Sequence, residues 1–302
     1  MNTLLRIFAI LVSTSLFIAR AMAEVKLEPN AKLSFEFPEL PETFLSKSTH
    51  DKIPAILSAQ LPRNYTREGK FPLFVFLNGG NGGRGDSSPA RSIVGPDDFI
   101  TVSLPLFKDP SGAKAPALPG VTVDLSYLVN INDAPVLGSS YRAMLQKLFE
   151  TVPNISTERS TFGGFSNGAH ATGALLTAKD EFILKHFTAF CFFEGGMALA
   201  LNPAALQQPA LSRARFIMLT GDHDSDPKRQ AQRTLIGEPL ITGISKQASE
   251  LHLDFTRIIM RGYGHAMPSE YQKLLGNWVR GEMLPKVQPN KSAFPENGAK
   301  AP

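Results

Sequence analysis

The sequence predicts an α/β fold, a mostly parallel central sheet with helices on both faces. Three observations carry that expectation. Short apolar runs of strand length alternate with stretches whose apolar residues recur at helical spacing, and no internal repeat interrupts the alternation. That alternation is the pattern of βαβ units. The single cysteine, Cys191, rules out an internal disulfide framework, so stability has to come from a sizeable core. A hydrophobic content of 43% can supply one.

Taken in order, IPAILSAQL (53–61) and FPLFVFL (71–77) read as neighbouring strands joined by the turn-rich PRNYTREGK. DFITVSLPL (98–106) is a third apolar run. A helix is expected over 140–152, where Met144, Leu145, Leu148, Phe149 and Val152 share helical spacing. STFGGF (160–165) is the next strand, and SNGAHATGALLTA (166–178) is the helix after it. HFTAFCFF (186–193), ARFIMLT (214–220) and LDFTRIIM (253–260) continue the strands. A last helix is expected over 268–281, with Tyr271, Leu274, Leu275 and Trp278 along one face. Cys191 lies inside an apolar run and is expected to be a small core residue.

The two ends read differently. Residues 1–23 have one early positive charge and a thirteen-residue apolar run between Arg6 and Arg20. Ala21-Met22-Ala23 then stands before Glu24, completing the pattern of a cleaved secretory signal peptide. Thirteen residues fall short of the ~20 a membrane-spanning helix needs, so no stable membrane insertion is expected after cleavage. The expected location is periplasmic or extracellular. The domain then runs over 24–284, and the polar, proline-rich 285–302 is expected to be a disordered tail. Loss of Arg6 and Arg20 lowers the formal charge from +4 to +2, and the remaining basic residues are scattered. No nucleic-acid partner is expected from that balance.

Chemistry enters at Gly164-Phe165-Ser166-Asn167-Gly168. A GxSxG string is common by accident in a chain with 24 glycines, but here a strand leads into it and a helix leaves it. Small residues on either side let the backbones pass in a tight turn that lifts Ser166 above the carboxyl edge of the sheet. The helix N-terminus and the Asn167 amide would then favour negative charge developing beside the serine.

A second donor for such a charge should follow an earlier strand. FPLFVFL ends in NGGNGGRGD, which offers the amides of Gly79, Gly80 and Asn81. The phosphate-cradling patterns GxxxxGK[ST] and GxGxxG are absent from this loop. An acid is expected in Gly221-Asp222-His223-Asp224-Ser225-Asp226, directly after a strand. A calcium loop counted from Asp222 would need glycine and glutamate where Pro227 and Arg233 stand, so a metal is not expected. His265, between a glycine-rich turn and the last helix, is the candidate base. His170, four residues past Ser166 on the helix, is expected to pack or cap.

FPLFVFLNGGNGG, GGFSNGAH, FIMLTGDHDSD and RGYGHAMP occur in this order, each at the end of an expected strand, and with them the chain resembles the α/β-hydrolase family over roughly residues 50–282. The narrower resemblance is to exported bacterial esterases of the feruloyl-esterase and polyhydroxybutyrate-depolymerase type. The resemblance implies the α/β-hydrolase fold, with Ser166 as nucleophile and His265 as base. Relatives place the acid three residues after the strand-end glycine, which implies Asp224 over Asp222 and Asp226; Glu194, at the end of the preceding strand, is the outside candidate. Gly79, Gly80 and Asn167 are implied as the oxyanion hole. Asn78 stands where the family often has histidine, and Gly195 to Ala214 is too short for a lid domain.

The implied activity is hydrolysis of a carboxylic ester, small or polymer-linked, through an acyl-enzyme and without metal or organic cofactor. The proline- and glycine-rich loop from Phe107 to Val129 is the expected wall of the acyl or alcohol pocket. Two rivals are a serine peptidase of the same fold and a non-catalytic secreted binding protein.

Overall fold

The computed structural model describes residues 26–112, 127–225, 230 and 237–284. The expected signal peptide (1–23), the tail (285–302) and part of the 107–129 loop lie outside the described residues.

The described residues form an eight-stranded sheet. Its strands are β1 (Lys32–Phe37), β2 (Ala55–Gln60), β3 (Phe71–Leu77), β4 (Ile100–Ser103), β5 (Ile155–Phe165), β6 (Ala189–Phe193), β7 (Arg215–Gly221) and β8 (Asp254–Met260). Their order across the sheet is β1-β2-β4-β3-β5-β6-β7-β8. β1 pairs antiparallel with β2 and β2 with β4, and every pairing from β4 to β8 is parallel. The mostly parallel sheet expected from sequence is therefore present.

Strand alternation explains why both faces are covered. Along β3, Leu73, Val75 and Leu77 face one core while Phe74 and Phe76 face the other. Along β6, Phe190 and Phe192 join the first core, and Ala189, Cys191 and Phe193 the second. A strand with apolar residues at every position needs a layer on each side. Ahead of the site, α1 (Phe44–Thr49) follows β1 and α2 (Ala90–Val94) follows β3. On the first face lie α3 (Ala134–Thr151), α4 (Asn167–Thr177), α5 (Glu181–His186) and α6 (Met197–Leu201), joined by α7 (Glu238–Glu250). On the second face, α2 contributes Ile93 and Val94, and α8 (Ser269–Arg280) contributes Tyr271, Leu274, Leu275 and Trp278. These last four are the face read from the sequence. α4 is buried from Asn167 through Leu176, which is why it shows no polar stripe.

One expectation needs correction. β2 and β3 are consecutive in sequence but not neighbours, because β4 lies between them. The segment joining them is fastened to the approach to β4. The Arg63 amide donates to the Pro96 carbonyl at 2.8 Å, the Arg63 guanidinium pairs with Asp97 at 2.8 Å, and Asn64 donates to Asp98 at 2.8 Å. These contacts carry the chain past the end of β4 instead of folding it back as a hairpin. Sequence reading also missed β1, although its buried Leu33 and Phe37 keep the alternation of an edge strand with one solvated face.

Between β6 and β7 the chain makes α6 and two short 3₁₀ turns, Pro203–Gln207 and Pro209–Leu211. Leu199, Leu206 and Leu211 from this segment enter the first core. No lid domain is inserted there.

Candidate active site

The carboxyl edge of the sheet brings together residues from four strand ends. Ser166 follows β5 directly and has φ 53° and ψ −119°, a left-handed conformation that a non-glycine residue adopts only when its surroundings impose it. Two backbone hydrogen bonds hold it there. Its N–H donates to the Phe193 carbonyl at 2.8 Å, and its carbonyl accepts from the His170 N–H at 2.9 Å. The flanking glycines are dictated by crowding. A Cβ on Gly164 would lie 2.6 Å from the Leu77 carbonyl oxygen, and one on Gly168 would collide with the same oxygen. The GxSxG string is thus the local solution to passing β5 and α4 against the end of β3.

His265, in the loop between β8 and α8, reaches the serine. Its Nε2 lies 2.9 Å from Ser166 Oγ, and its Nδ1 lies 3.3 Å from Glu194 Oε2. A carboxylate only accepts, so Nδ1 carries the proton and Nε2 is left to accept from the serine hydroxyl. The imidazole also lies over the Phe165 ring, with centroids 5.0 Å apart and planes 31° apart. Glu194 sits one residue past β6 in a left-handed conformation, φ 55°, with its side chain only 4% exposed. Its other oxygen, Oε1, accepts from the Gly221 N–H at the end of β7.

The acid is where the structure departs from the expectation. Ser166 and His265 are brought together as expected, but the carboxylate at the imidazole belongs to Glu194, not Asp224. Asp224 is part of a loop arrangement in which its N–H donates to Gln230 Oε1 at 2.5 Å and Gln230 Nε2 donates to the Asp222 carbonyl at 3.2 Å. Asp222 braces the histidine loop, accepting from Arg261 Nη1 at 2.9 Å and the Gly262 N–H at 2.7 Å. His223 N–H donates to the Tyr263 carbonyl at 3.0 Å, tying the β7 loop to the β8 loop. These bonds spend the aspartate loop on holding the chain that carries His265. A glutamate on the neighbouring strand end, one methylene longer, spans from Gly221 to the imidazole. The sequence signal for it was an acidic residue ending an otherwise apolar strand, in FCFFEGG.

The oxyanion candidates also meet at the serine. Gly79 follows β3 so closely that a Cβ there would lie 2.9 Å from the Ser166 Cβ. The Gly79 carbonyl accepts from the Gly82 N–H at 3.0 Å. The Gly80 N–H, trans across the same peptide, therefore points the opposite way. Gly80 itself is left-handed, φ 60°, with nothing near a Cβ, so glycine is there for its backbone. Asn167 is the first residue of α4, where N–H groups have no helical acceptor. Its N–H, with those of Gly79 and Gly80, is a candidate donor for an anion beside Ser166. Asn78 points elsewhere, donating to the Ser87 carbonyl at 2.7 Å. Among the described residues, no group of three or more His, Cys, Asp or Glu side chains could hold a metal ion.

The described ends of the 107–129 loop are pinned beside this site. Lys108 Nζ donates to Asp133 Oδ2 at 3.0 Å and to the Leu128 carbonyl at 2.6 Å, and the Asp109 N–H donates to Asp133 Oδ1 at 2.7 Å.

His170 caps rather than reacts. Its Nδ1 accepts from the N–H groups of Gly196 and Met197 at 3.3 and 3.1 Å, at the start of α6. Burial, reinforced by the neighbouring His265, lowers its pKa from 6.5 to about 4. The unfolded chain binds this proton below about pH 6.5 while the folded chain refuses it until about pH 4. Stability is thus fully present above pH 6.5 and falls as pH drops toward 4, by on the order of a few kcal/mol. His170→Asn keeps an acceptor and loses the titration. Urea melts from pH 7 to 4 should show wild type losing more stability than the variant across this window, and parallel curves would contradict the assignment.

No protein-family model and no curated protein matches the chain. Solved structures do match. A ferulic acid esterase from the anaerobic fungus Anaeromyces mucronatus aligns with a TM-score of 0.52 at 11% identity, over 87% of this chain and 95% of that one. A feruloyl esterase module from Clostridium thermocellum aligns with a TM-score of 0.49 at 13% identity, over 86% and 91%. The acylaminoacyl peptidase of Pyrococcus horikoshii gives 0.48 at 12%, over 88% of this chain and 44% of that one. The chain also spans only 36% of a matched Bacteroides ovatus chain and 59% of a thermostable esterase. At such identities the shared property is the fold, and together with the strand order it is the α/β-hydrolase fold.

Proposed function

We propose that the chain is a serine hydrolase that cleaves carboxylic esters through an acyl-enzyme, with Ser166, His265 and Glu194 as its triad. The observation that carries this reading is the continuous line Ser166 Oγ–His265 Nε2, 2.9 Å, and His265 Nδ1–Glu194 Oε2, 3.3 Å, built from three separate strand ends. His265 takes the hydroxyl proton as Ser166 attacks the ester carbonyl. Glu194 holds the imidazole in the tautomer that can accept that proton and stabilises the cation that forms. The amides of Asn167 and Gly80 receive the developing oxyanion. His265 then hands its proton to the leaving alcohol, and water repeats the sequence on the acyl group.

The substrate is a small-molecule or polymer-linked ester, and the signal-like 1–23 supports export to the periplasm or medium. The lack of an inserted domain between β6 and β7 supports short, water-soluble acyl groups over long ones.

A fluorophosphonate probe should label the protein, with the adduct mapping to Ser166 by mass spectrometry. Acetyl and butyryl p-nitrophenyl esters should turn over below their solubility limit and faster than the palmitoyl ester, and aminoacyl anilides should be poor substrates. Labelling together with a clear preference for the anilides would make the chain a peptidase. Neither labelling nor turnover would leave a binding protein.

A further inference from the structure

Asn167 carries a buried polar group at the site. Its side chain is an amide buried to 3% exposure, directly after the proposed nucleophile, and it reaches two separate loops. Nδ2 donates to the Gly80 carbonyl at 2.8 Å and to the Tyr127 carbonyl at 3.0 Å. Oδ1 accepts from the Val129 N–H at 3.1 Å. Two carbonyls on one side and an N–H on the other fix which way the amide faces, and both of its N–H donors are used. None of these bonds runs within α4.

We propose that Asn167 is a positioning residue whose side chain locks the oxyanion loop and the 127–129 wall onto the residue that supplies the other oxyanion donor. The inference rests on the serine-hydrolase reading above. Gly80 has a left-handed backbone with open space where a Cβ would stand, so no side-chain packing fixes its peptide planes. The Gly79 carbonyl is held by Gly82 and the Gly80 carbonyl by Asn167, which clamps Gly80 on both sides of its Cα. With both planes held, the direction of the Gly80 N–H is fixed. One residue thereby gives one donor through its backbone and sets the second through its side chain. It also ties the 127–129 segment directly to the oxyanion loop.

A group that aligns donors for the transition state acts on kcat more than on KM. Asn167→Asp keeps the shape and the acceptor for Val129 but sets a carboxylate against two carbonyls, and Asn167→Ala removes all three bonds. Both are expected to lower kcat for a soluble p-nitrophenyl ester by about ten- to a hundredfold, within the range for a lost oxyanion donor. KM should change less than about threefold. Affinity for an alkylboronic acid, which becomes tetrahedral on the serine, should fall in step with kcat, while a planar amide inhibitor binds as before. Melting temperatures are recorded alongside. Wild type inert to both ester and fluorophosphonate overturns the hydrolase reading and the inference with it. Active wild type with either folded variant within threefold in kcat overturns the inference alone, as does equal weakening of boronate and planar inhibitor. Failure of both variants to melt cooperatively makes Asn167 a folding residue and overturns it as well.

Discussion

Ser166→Ala is expected to lower ester turnover by about four to six orders of magnitude while leaving the melting temperature within a few degrees of wild type. The large loss follows from what Oγ does. It is the atom that would bond to the acyl carbon, and the one that hydrogen-bonds His265 Nε2 at 2.9 Å. The small structural effect follows from what the rest of the residue does. The strained backbone at φ 53° is held by the Phe193 carbonyl and the His170 N–H, and neither bond involves the hydroxyl. Alanine bears the same Cβ in the same conformation, so the turn should persist. The oxyanion amides should persist with it, and residual turnover above the uncatalysed rate is expected from them. The measurement is kcat/KM for p-nitrophenyl acetate beside a thermal melt. More than a tenth of wild-type activity in the variant would remove Ser166 from the mechanism.

Glu194→Gln should cost on the order of 10⁴ in turnover, and Asp224→Asn less than about tenfold. Hydrogen-bond polarity sets the difference. In Glu194, Oε1 takes the Gly221 N–H and Oε2 takes the His265 Nδ1 proton. Glutamine has one acceptor oxygen. If it stays on the buried Gly221 N–H, its amide NH₂ faces Nδ1, which must then give up its proton and accept. The imidazole proton moves to Nε2, where it can no longer take a proton from Ser166. Geometry survives and the tautomer is wrong. The carboxylate at His265 Nδ1 is Glu194's, and the Asp224 N–H bond to Gln230 is unaffected by the side-chain change. Comparing the two variants on the same ester decides between the carboxylates. A large loss for Asp224→Asn with a small one for Glu194→Gln would return the acid to the β7 loop.

The sequence by itself determined the parts whose physics is local. Unbroken apolar runs at β3 and β6 and helical spacing at α8 read out the layers, because a strand buried at every position needs a layer on each face and a helix buries one stripe. GxSxG between a strand and a helix located Ser166, because only glycine fits where β5, α4 and β3 crowd together. His265 was legible as a histidine placed on a loop after the last strand, and His170, by its position on the helix, as a residue that packs or caps rather than reacts.

Two things were decided only in three dimensions. The position of β4 between β2 and β3 depends on where the Arg63–Asp97 and Asn64–Asp98 contacts fasten a linker, which no strand pattern encodes. The choice of acid depends on which of several carboxylates at neighbouring strand ends reaches an imidazole in space. Spacing along the chain favoured Asp224, but the aspartate loop is drawn into bracing the β8 turn through Asp222, Arg261 and Gly262. Glu194, 71 residues from His265 in sequence, ends β6, with only β7 between it and β8, and is long enough to bridge Gly221 and the ring. Strand adjacency and side-chain reach are tertiary quantities, and they set the third member of the site.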